Sequence, residues 1–291
     1  MSRILKKKYD LKNKKINKEK RLLLISDIHI SKIFNIKKID KIINELKKEK
    51  IDYICIPGDI IDCTNVLEEE KYQNIIIDFL EKLSSISKVI ISLGNHDISR
   101  LRTSRKEKKW TYEKKDNFFN KIKKIKDVHL LDDAVYIKDD ICFIGLTLSF
   151  DYYKKTKENK KDLLDELKNK NIKLDNNKYN VLLCHTPVHI LDNEINSIDL
   201  IKNTDLILSG HMHNGMVHPI MEKIWKGNKG IITPTKKLYP KANLTRGIKN
   251  KDEKVLIISG GITKLSQAST KFLYHFNDIY PMHIEIININ N

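Results

Sequence analysis

Residues 88–97 read KVIISLGNHD. A short apolar run rich in β-branched residues is a buried strand, and this one stops at a glycine followed by an amide, an imidazole and a carboxylate. The same organisation occurs twice upstream. Residues 52–57 form an apolar run that ends in Gly58-Asp59, and residues 21–26 form one that ends in Asp27-Ile28-His29. Between the runs, Ile36, Ile39, Ile43 and Leu46 recur at helical spacing, and residues 66–83 carry Ile75, Ile76, Phe79, Leu80 and Leu83 on one side. Strand–helix–strand–helix–strand predicts a parallel sheet with right-handed crossovers, and so an α/β fold.

Downstream, residues 134–137 and 141–148 flank Asp139-Asp140 and read as an antiparallel hairpin. Residues 180–184 and 206–209 are further buried strands, the first ending in His185 and the second in Gly210-His211-Met212-His213. Residues 254–259 and 283–287 complete the strands. Two Lys-rich excursions interrupt the pattern. Residues 100–126 carry twelve Lys/Arg against three acids, with Trp110, Tyr112, Phe118 and Phe119, and are expected to be mostly helical. Residues 154–178 are expected to hold a helix around Leu163 to Leu167. Residues 1–20 are expected as a basic N-terminal arm, and residues 21–291 as one domain, since no internal repeat or linker divides them.

In a parallel sheet the loops after the strands gather along one edge, where open α/β sheets bind ligands. Five strand ends would thus deliver Asp27, His29, Asp59, Asn95, His185, His211 and His213 to one region. Carboxylate, imidazole and amide oxygen suit first-row divalent ions such as Mn²⁺, Fe²⁺ and Zn²⁺. Seven ligands are too many for one tetrahedral ion and about right for two ions with a shared ligand. The chain has ten glycines, and Gly58, Gly94 and Gly210 each stand immediately before a ligand. Singly, an Asp-x-His is most often a surface turn and a lone histidine a core residue. Five such fragments in order, each at a strand end, make a site.

The set resembles the calcineurin-like metallophosphoesterase superfamily, whose pattern is Asp-x-His, Gly-Asp, Gly-Asn-His-Asp/Glu, a later His, and Gly-His-x-His. The resemblance covers roughly residues 20–265, is similar to the compact bacterial type, and implies a four-layer αββα sandwich with a di-metal site at the strand C-terminal ends. It implies that Asp27, His29 and His213 hold one metal, that Asn95, His185 and His211 hold the other, and that Asp59 bridges them. It further implies that His96 serves the substrate phosphate as a catalytic group, that Asp97 orients His96, and that a hydroxide shared by the two ions attacks phosphorus. After His213 the chain reads Asn214-Gly215 where membrane-associated relatives often have Gly-Gly, and the loop runs on through His218 and Trp225.

Composition bounds the partners. The formal net charge is +17, with ten Lys/Arg against two acids in residues 1–21. Because lysine is abundant along the whole chain, solvated lysine faces account for most of this charge. The expected partner is an anionic phosphate ester: a phosphodiester, a phosphomonoester or a pyrophosphate. Peripheral contact with anionic lipid is a weaker expectation, and nucleic acid, which would make the protein a nuclease, weaker again. A metal-free protein-binding scaffold disagrees with seven intact ligand positions. No apolar run approaches the ~20 residues that span a bilayer, and no signal peptide is expected. Cys55, Cys63, Cys142 and Cys184 lack CxxC spacing and mostly lie in strand-like runs, which points to the cytoplasm, with the inner membrane surface as a peripheral location.

Overall fold

The computed structural model describes residues 2–103, 108–154, 160–188, 190–217, 245–265 and 274–291. Among these, the strands make two six-stranded sheets and a separate hairpin. The first sheet contains β1 (Ile4–Lys12), β2 (Lys20–Leu24), β3 (Tyr53–Pro57), β4 (Lys88–Ser92), β7 (Val128–Leu130) and β14 (Met282–Asn290), in the order β1-β14-β2-β3-β4-β7. The strands β2, β3, β4 and β7 run parallel, as the three upstream fragments predict, while β14 is antiparallel to β2.

The second sheet contains β8 (Ala134–Lys138), β9 (Ile141–Leu146), β10 (Tyr179–Cys184), β11 (Leu206–Ser209), β12 (Gly247–Lys251) and β13 (Lys254–Ile258). Its order is β12-β13-β11-β10-β9-β8, with the central four parallel and both edges antiparallel.

Strand alternation sorts the side chains into three cores. On β3, Ile54 and Ile56 face one way, against α1 (Lys37–Leu46), α2 (Glu70–Ser84) and α3 (Asp116–Ile122). Tyr53 and Cys55 face the other way, into a core shared with Val181 and Leu183 of β10 and with Leu206 and Leu208 of β11. Leu182 and Cys184 of β10 face outward against α5 (Lys160–Lys168), α6 (Asn193–Asn196) and α7 (Asp199–Lys202). The shared core therefore lies between the two sheets, the inner strands of each being apolar on both faces. That double burial explains why the strand runs read as continuous apolar blocks.

Two expectations change. Residues 100–126 are not mostly helical: β5 (Ser99–Thr103) and β6 (Lys108–Tyr112) form an antiparallel hairpin before α3 begins. Leu101 pairs with Trp110, and both pack with Cys63 and Val66, so a period-two face rather than a helical stripe carries the burial. The basic N-terminal stretch is also more than an arm, because β1 pairs in parallel with β14 along its whole length. The expected helix around Leu163 is α5, which buries Leu163, Leu164 and Leu167. His218 and Trp225 lie outside the described residues.

Candidate metal centre

The C-terminal ends of β2, β3 and β4 from one sheet, and of β10 and β11 from the other, converge. His185 Nε2 lies 3.0 Å from Asp59 Oδ2 and 3.9 Å from Asp27 Oδ1. His29 Nε2 lies 3.5 Å from Asp59 Oδ2 and 4.0 Å from Asp27 Oδ1, and His213 Nε2 is 3.7 Å from the same Asp27 oxygen. Three sets of potential ligand atoms result among the described residues, Asp27-His29-His213, Asp27-Asp59-His185 and His29-Asp62-His96, each within 4.8 Å of one another. The His211 ring sits 5.0 Å from that of His185. Asn95 follows β4 and presents a buried Oδ1. The Asp27, His29 and His185 side chains are fully buried, so the centre lies inside the protein rather than on its face.

The backbone is bent to make this happen. Asp27, His29, Asp59, His211 and His213 all have φ between 45° and 67°, the left-handed region that side chains other than glycine's avoid. Such strain is typical of functional positions and is held by surrounding bonds. Here the His211 N–H donates to both Asp27 oxygens at 3.0 and 3.2 Å, and Ser26 Oγ donates to Asp27 Oδ2 at 2.5 Å. Close approach also needs Gly94 and Gly210. A Cβ on Gly94 would lie 2.7 Å from the Asp59 nitrogen and still closer to Asp59 Oδ1, and one on Gly210 would lie 2.6 Å from Asp27 Oδ2.

A second ring of groups orients the imidazoles. His185 Nδ1 is 2.8 Å from the Pro57 carbonyl, and His213 Nδ1 is 2.8 Å from the Thr263 carbonyl. A Nδ1–H donated to these acceptors leaves each Nε2 lone pair for a cation. Asp62 was not singled out in the sequence and plays two parts. Its Oδ1 lies 3.5 Å from His29 Nδ1, and its carbonyl accepts from His96 Nδ1. Its signal in the sequence was only its place three residues after Asp59. The carbonyls of Pro57 and Thr263 have no signal at all, because every residue carries one.

Asp97 has a different role from the one expected. Its carboxylate accepts four backbone N–H bonds, from Asp59 (2.7 Å), Gly94 (2.8 Å), Ile60 (3.0 Å) and Ile61 (3.2 Å). It ties the β3 loop to the β4 loop, and the Asp62 carbonyl, not Asp97, holds the His96 ring. That ring packs edge-on to His29 at 4.6 Å and to Trp110 at 4.9 Å, so the hairpin missed in the sequence walls one side of the site.

The electrostatics favour a cation. Burial works against charge on His185, yet the Asp59 and Asp27 carboxylates hold its pKa up at about 9. Burial would raise Asp59, but His185 and His96 beside it keep it well below the usual carboxylate range. Burial, reinforced by His96, pushes His29 far down. Burial and then the Asp59 charge lift Asp97 to about 7, against the pull of the Gly94 and Ile61 N–H groups. His29 Nε2 and Asn95 Oδ1 are buried without a hydrogen-bond partner, and His185 Nε2 and Asp59 Oδ2 are buried against each other. Buried polar atoms are costly unless paired, and a buried cluster of imidazole and carboxylate atoms from separate loops fits metal coordination.

A model of the calcineurin-like phosphoesterase family matches residues 20–215. The chain belongs to that family. Every proposed ligand lies within the matched span, and the span ends two residues after His213. An uncharacterized metallophosphoesterase of Helicobacter pylori strain J99 is 24% identical over 208 residues, covering 70% of this chain and 47% of that protein. One of Campylobacter jejuni is 25% identical over 223 residues, covering 74% and 50%. The chain thus spans about half the length of these calcineurin-like relatives. The DNA polymerase II small subunit of Methanocaldococcus jannaschii is 35% identical over 109 residues, covering 30% of this chain and 18% of that protein. Among solved structures, a dimetal phosphatase from Danio rerio is similar at 11% identity and a TM-score of 0.44, covering 83% of this chain and 87% of that one.

Proposed function

We propose that the chain is a two-metal phosphoesterase that hydrolyses a phosphodiester, phosphomonoester or pyrophosphate bond. The observation that carries the reading is the buried cluster of ligand atoms at the strand ends, with His185 Nε2 3.0 Å and His29 Nε2 3.5 Å from Asp59 Oδ2, and His29, His185 and His213 Nε2 within 4.0 Å of Asp27 Oδ1. Asp27, His29 and His213 would hold one divalent ion, Asn95, His185 and His211 the other, and Asp59 would be shared. Mn²⁺, Fe²⁺ or Zn²⁺ suits this donor set. Bound there, the ions supply Lewis-acid activation of water and of the phosphoryl oxygens.

The chain's own residues do the rest. The Pro57 and Thr263 carbonyls keep His185 and His213 turned to the centre. His96 has its Nδ1 on the Asp62 carbonyl, so its Nε2 is the atom left to meet the ester. From there it gives a proton to the leaving oxygen or a hydrogen bond to a phosphoryl oxygen. Asp97 keeps Asp59 in place. The four cysteines are free and buried, which suits a reducing compartment. No helix among the described residues is long and apolar enough to cross a membrane.

The test is Asp59→Asn, which preserves shape and removes the shared charge. Purified protein is assayed for metal by elemental analysis and for hydrolysis of bis-p-nitrophenyl phosphate with added Mn²⁺. Both should be lost in the variant, and chelator should abolish wild-type turnover. An active, chelator-resistant variant refutes the reading. The net charge of +17 favours nuclease action as the second reading. Single-stranded DNA in the same assay tests it.

A further inference from the structure

A cleft of about 490 Å³ opens beside the metal centre, lined on one side by Ile98 and Tyr112 and on the other by Thr147, Leu148 and Phe150. Both walls lead back to the centre. Tyr112 lies two residues from Trp110 on β6, and so on the same strand face, and Trp110 touches His96. Phe150 opens the short helix α4 (Phe150–Lys154), one turn before Tyr153, whose ring is 5.6 Å from that of His211. The cleft therefore runs between the His96 side and the His211 side of the site.

Its lining mixes aromatic rings with paired charges. The Tyr112 and Phe150 rings pack on each other at 6.3 Å and a 56° tilt, so Phe150 braces Tyr112 and a flat group has the exposed face of Tyr112 to stack on. Tyr112 is 60% exposed, so its ring offers an open stacking face to the cleft. In a chain of net charge +17 this lining holds Lys114 and Lys170 against Asp132, Asp133 and Asp151. Lys114 is paired with Asp132, and Lys170 with Asp133 at 2.6 Å. Asp151 is exposed and carries no ion pair among the described residues. Neutralised lysines and a spare carboxylate repel a second phosphate. They suit a flat, neutral group that offers N–H donors.

We propose that the cleft receives a nucleobase of the ester, its ring stacked on the exposed face of Tyr112 that Phe150 braces and its amino edge toward Asp151. The inference rests on the phosphoesterase reading for the position of the phosphate, and it makes the substrate class a nucleotide ester. Stacking on such rings tolerates any base, while the carboxylate prefers bases with an exocyclic amine, so adenine and cytosine should bind better than uracil.

The test is calorimetric titration of the Mn²⁺-loaded protein with adenosine, cytidine, uridine, ribose and choline. Adenosine and cytidine should bind at least tenfold tighter than ribose or choline. Tyr112→Ala and Phe150→Ala should each weaken adenosine binding about tenfold, the first by losing the stacking ring and the second by losing the ring that holds it in place. Tyr112→Phe should restore it. In hydrolysis, the two alanine variants should raise KM for a nucleotide ester about tenfold and leave KM for glycerol phosphate unchanged. Asp59→Asn should still bind adenosine as the wild type does. Adenosine binding with no hydrolysis of any ester would reject the phosphoesterase reading while supporting the cleft assignment. Nucleosides that bind no tighter than ribose, choline that binds tighter than adenosine, or binding indifferent to both ring deletions would overturn the inference.

Discussion

Replacing Asp97 with alanine should unfold the metal centre rather than merely slow it. The carboxylate is 1% exposed and accepts N–H bonds from Asp59, Ile60, Ile61 and Gly94 at 2.7 to 3.2 Å. Stranding a buried donor costs roughly 1–3 kcal/mol. A water drawn into the vacated space can satisfy about two of the four donors, so the net loss is about 3–5 kcal/mol. For a chain of this size each kcal/mol shifts Tm by roughly 2–4 °C, which predicts a fall of about 6–20 °C. The lost bonds hold the Asp59 loop against the Gly94 loop, so metal content should fall together with stability. Asp97→Asn should not rescue, because its amide turns a donor toward backbone donors. Thermal melts and elemental analysis of the purified variants decide the matter. If Asp97→Ala melts within about 1 kcal/mol of wild type and keeps its metals, the buttress argument is wrong and the residue belongs with His96 after all.

His96→Ala is the contrast: it should keep metals and Tm while losing about 10²- to 10⁴-fold in kcat, and a variant of full activity removes the proton-transfer role. Gly94→Ala should displace Asp59, since the new Cβ lies against Asp59 Oδ1 and N, and titration should show weakened metal binding with the fold retained by circular dichroism. A third variant probes a buried titratable group away from the ligands. His283 is buried with both ring nitrogens unpaired, and burial together with Lys264 pushes its pKa well below the usual value. The unfolded chain takes up a proton below about pH 6.5 that the native state refuses, so stability falls as pH drops from that point. His283→Leu should flatten the slope of unfolding free energy between pH 6.5 and 5 by up to one proton, about 1.4 kcal/mol per pH unit, in urea titrations. An unchanged slope would show that His283 is protonated in the native protein.

What could be read from sequence here follows from which interactions are local. A strand buried on both faces must be a continuous apolar run, so β2, β3, β4, β10, β11 and β13 were legible, and with them the residues at their ends. β1 was not, because its alternating lysines read as a charged arm until β14 supplies a partner edge. The hairpin β5–β6 was hidden in the same way: Arg100-Leu101-Arg102 and Lys109-Trp110-Thr111 look like helical, lysine-rich surface until Leu101 and Trp110 meet Cys63 and Val66. Both cases are tertiary contacts overruling composition.

The candidate ligand types, their order and their strand-end positions were determined by the sequence alone, since each motif is a few contiguous residues, most with a glycine where the backbone must bend. Only the folded chain decided that the two sheets' edges meet closely enough for His185 to reach Asp59, that Asp97 binds four backbone N–H groups instead of the His96 ring, and that Asp62 stands behind His29 and His96. These are distances between segments far apart in the chain, set by how two twisted sheets pack, and no local pattern encodes them.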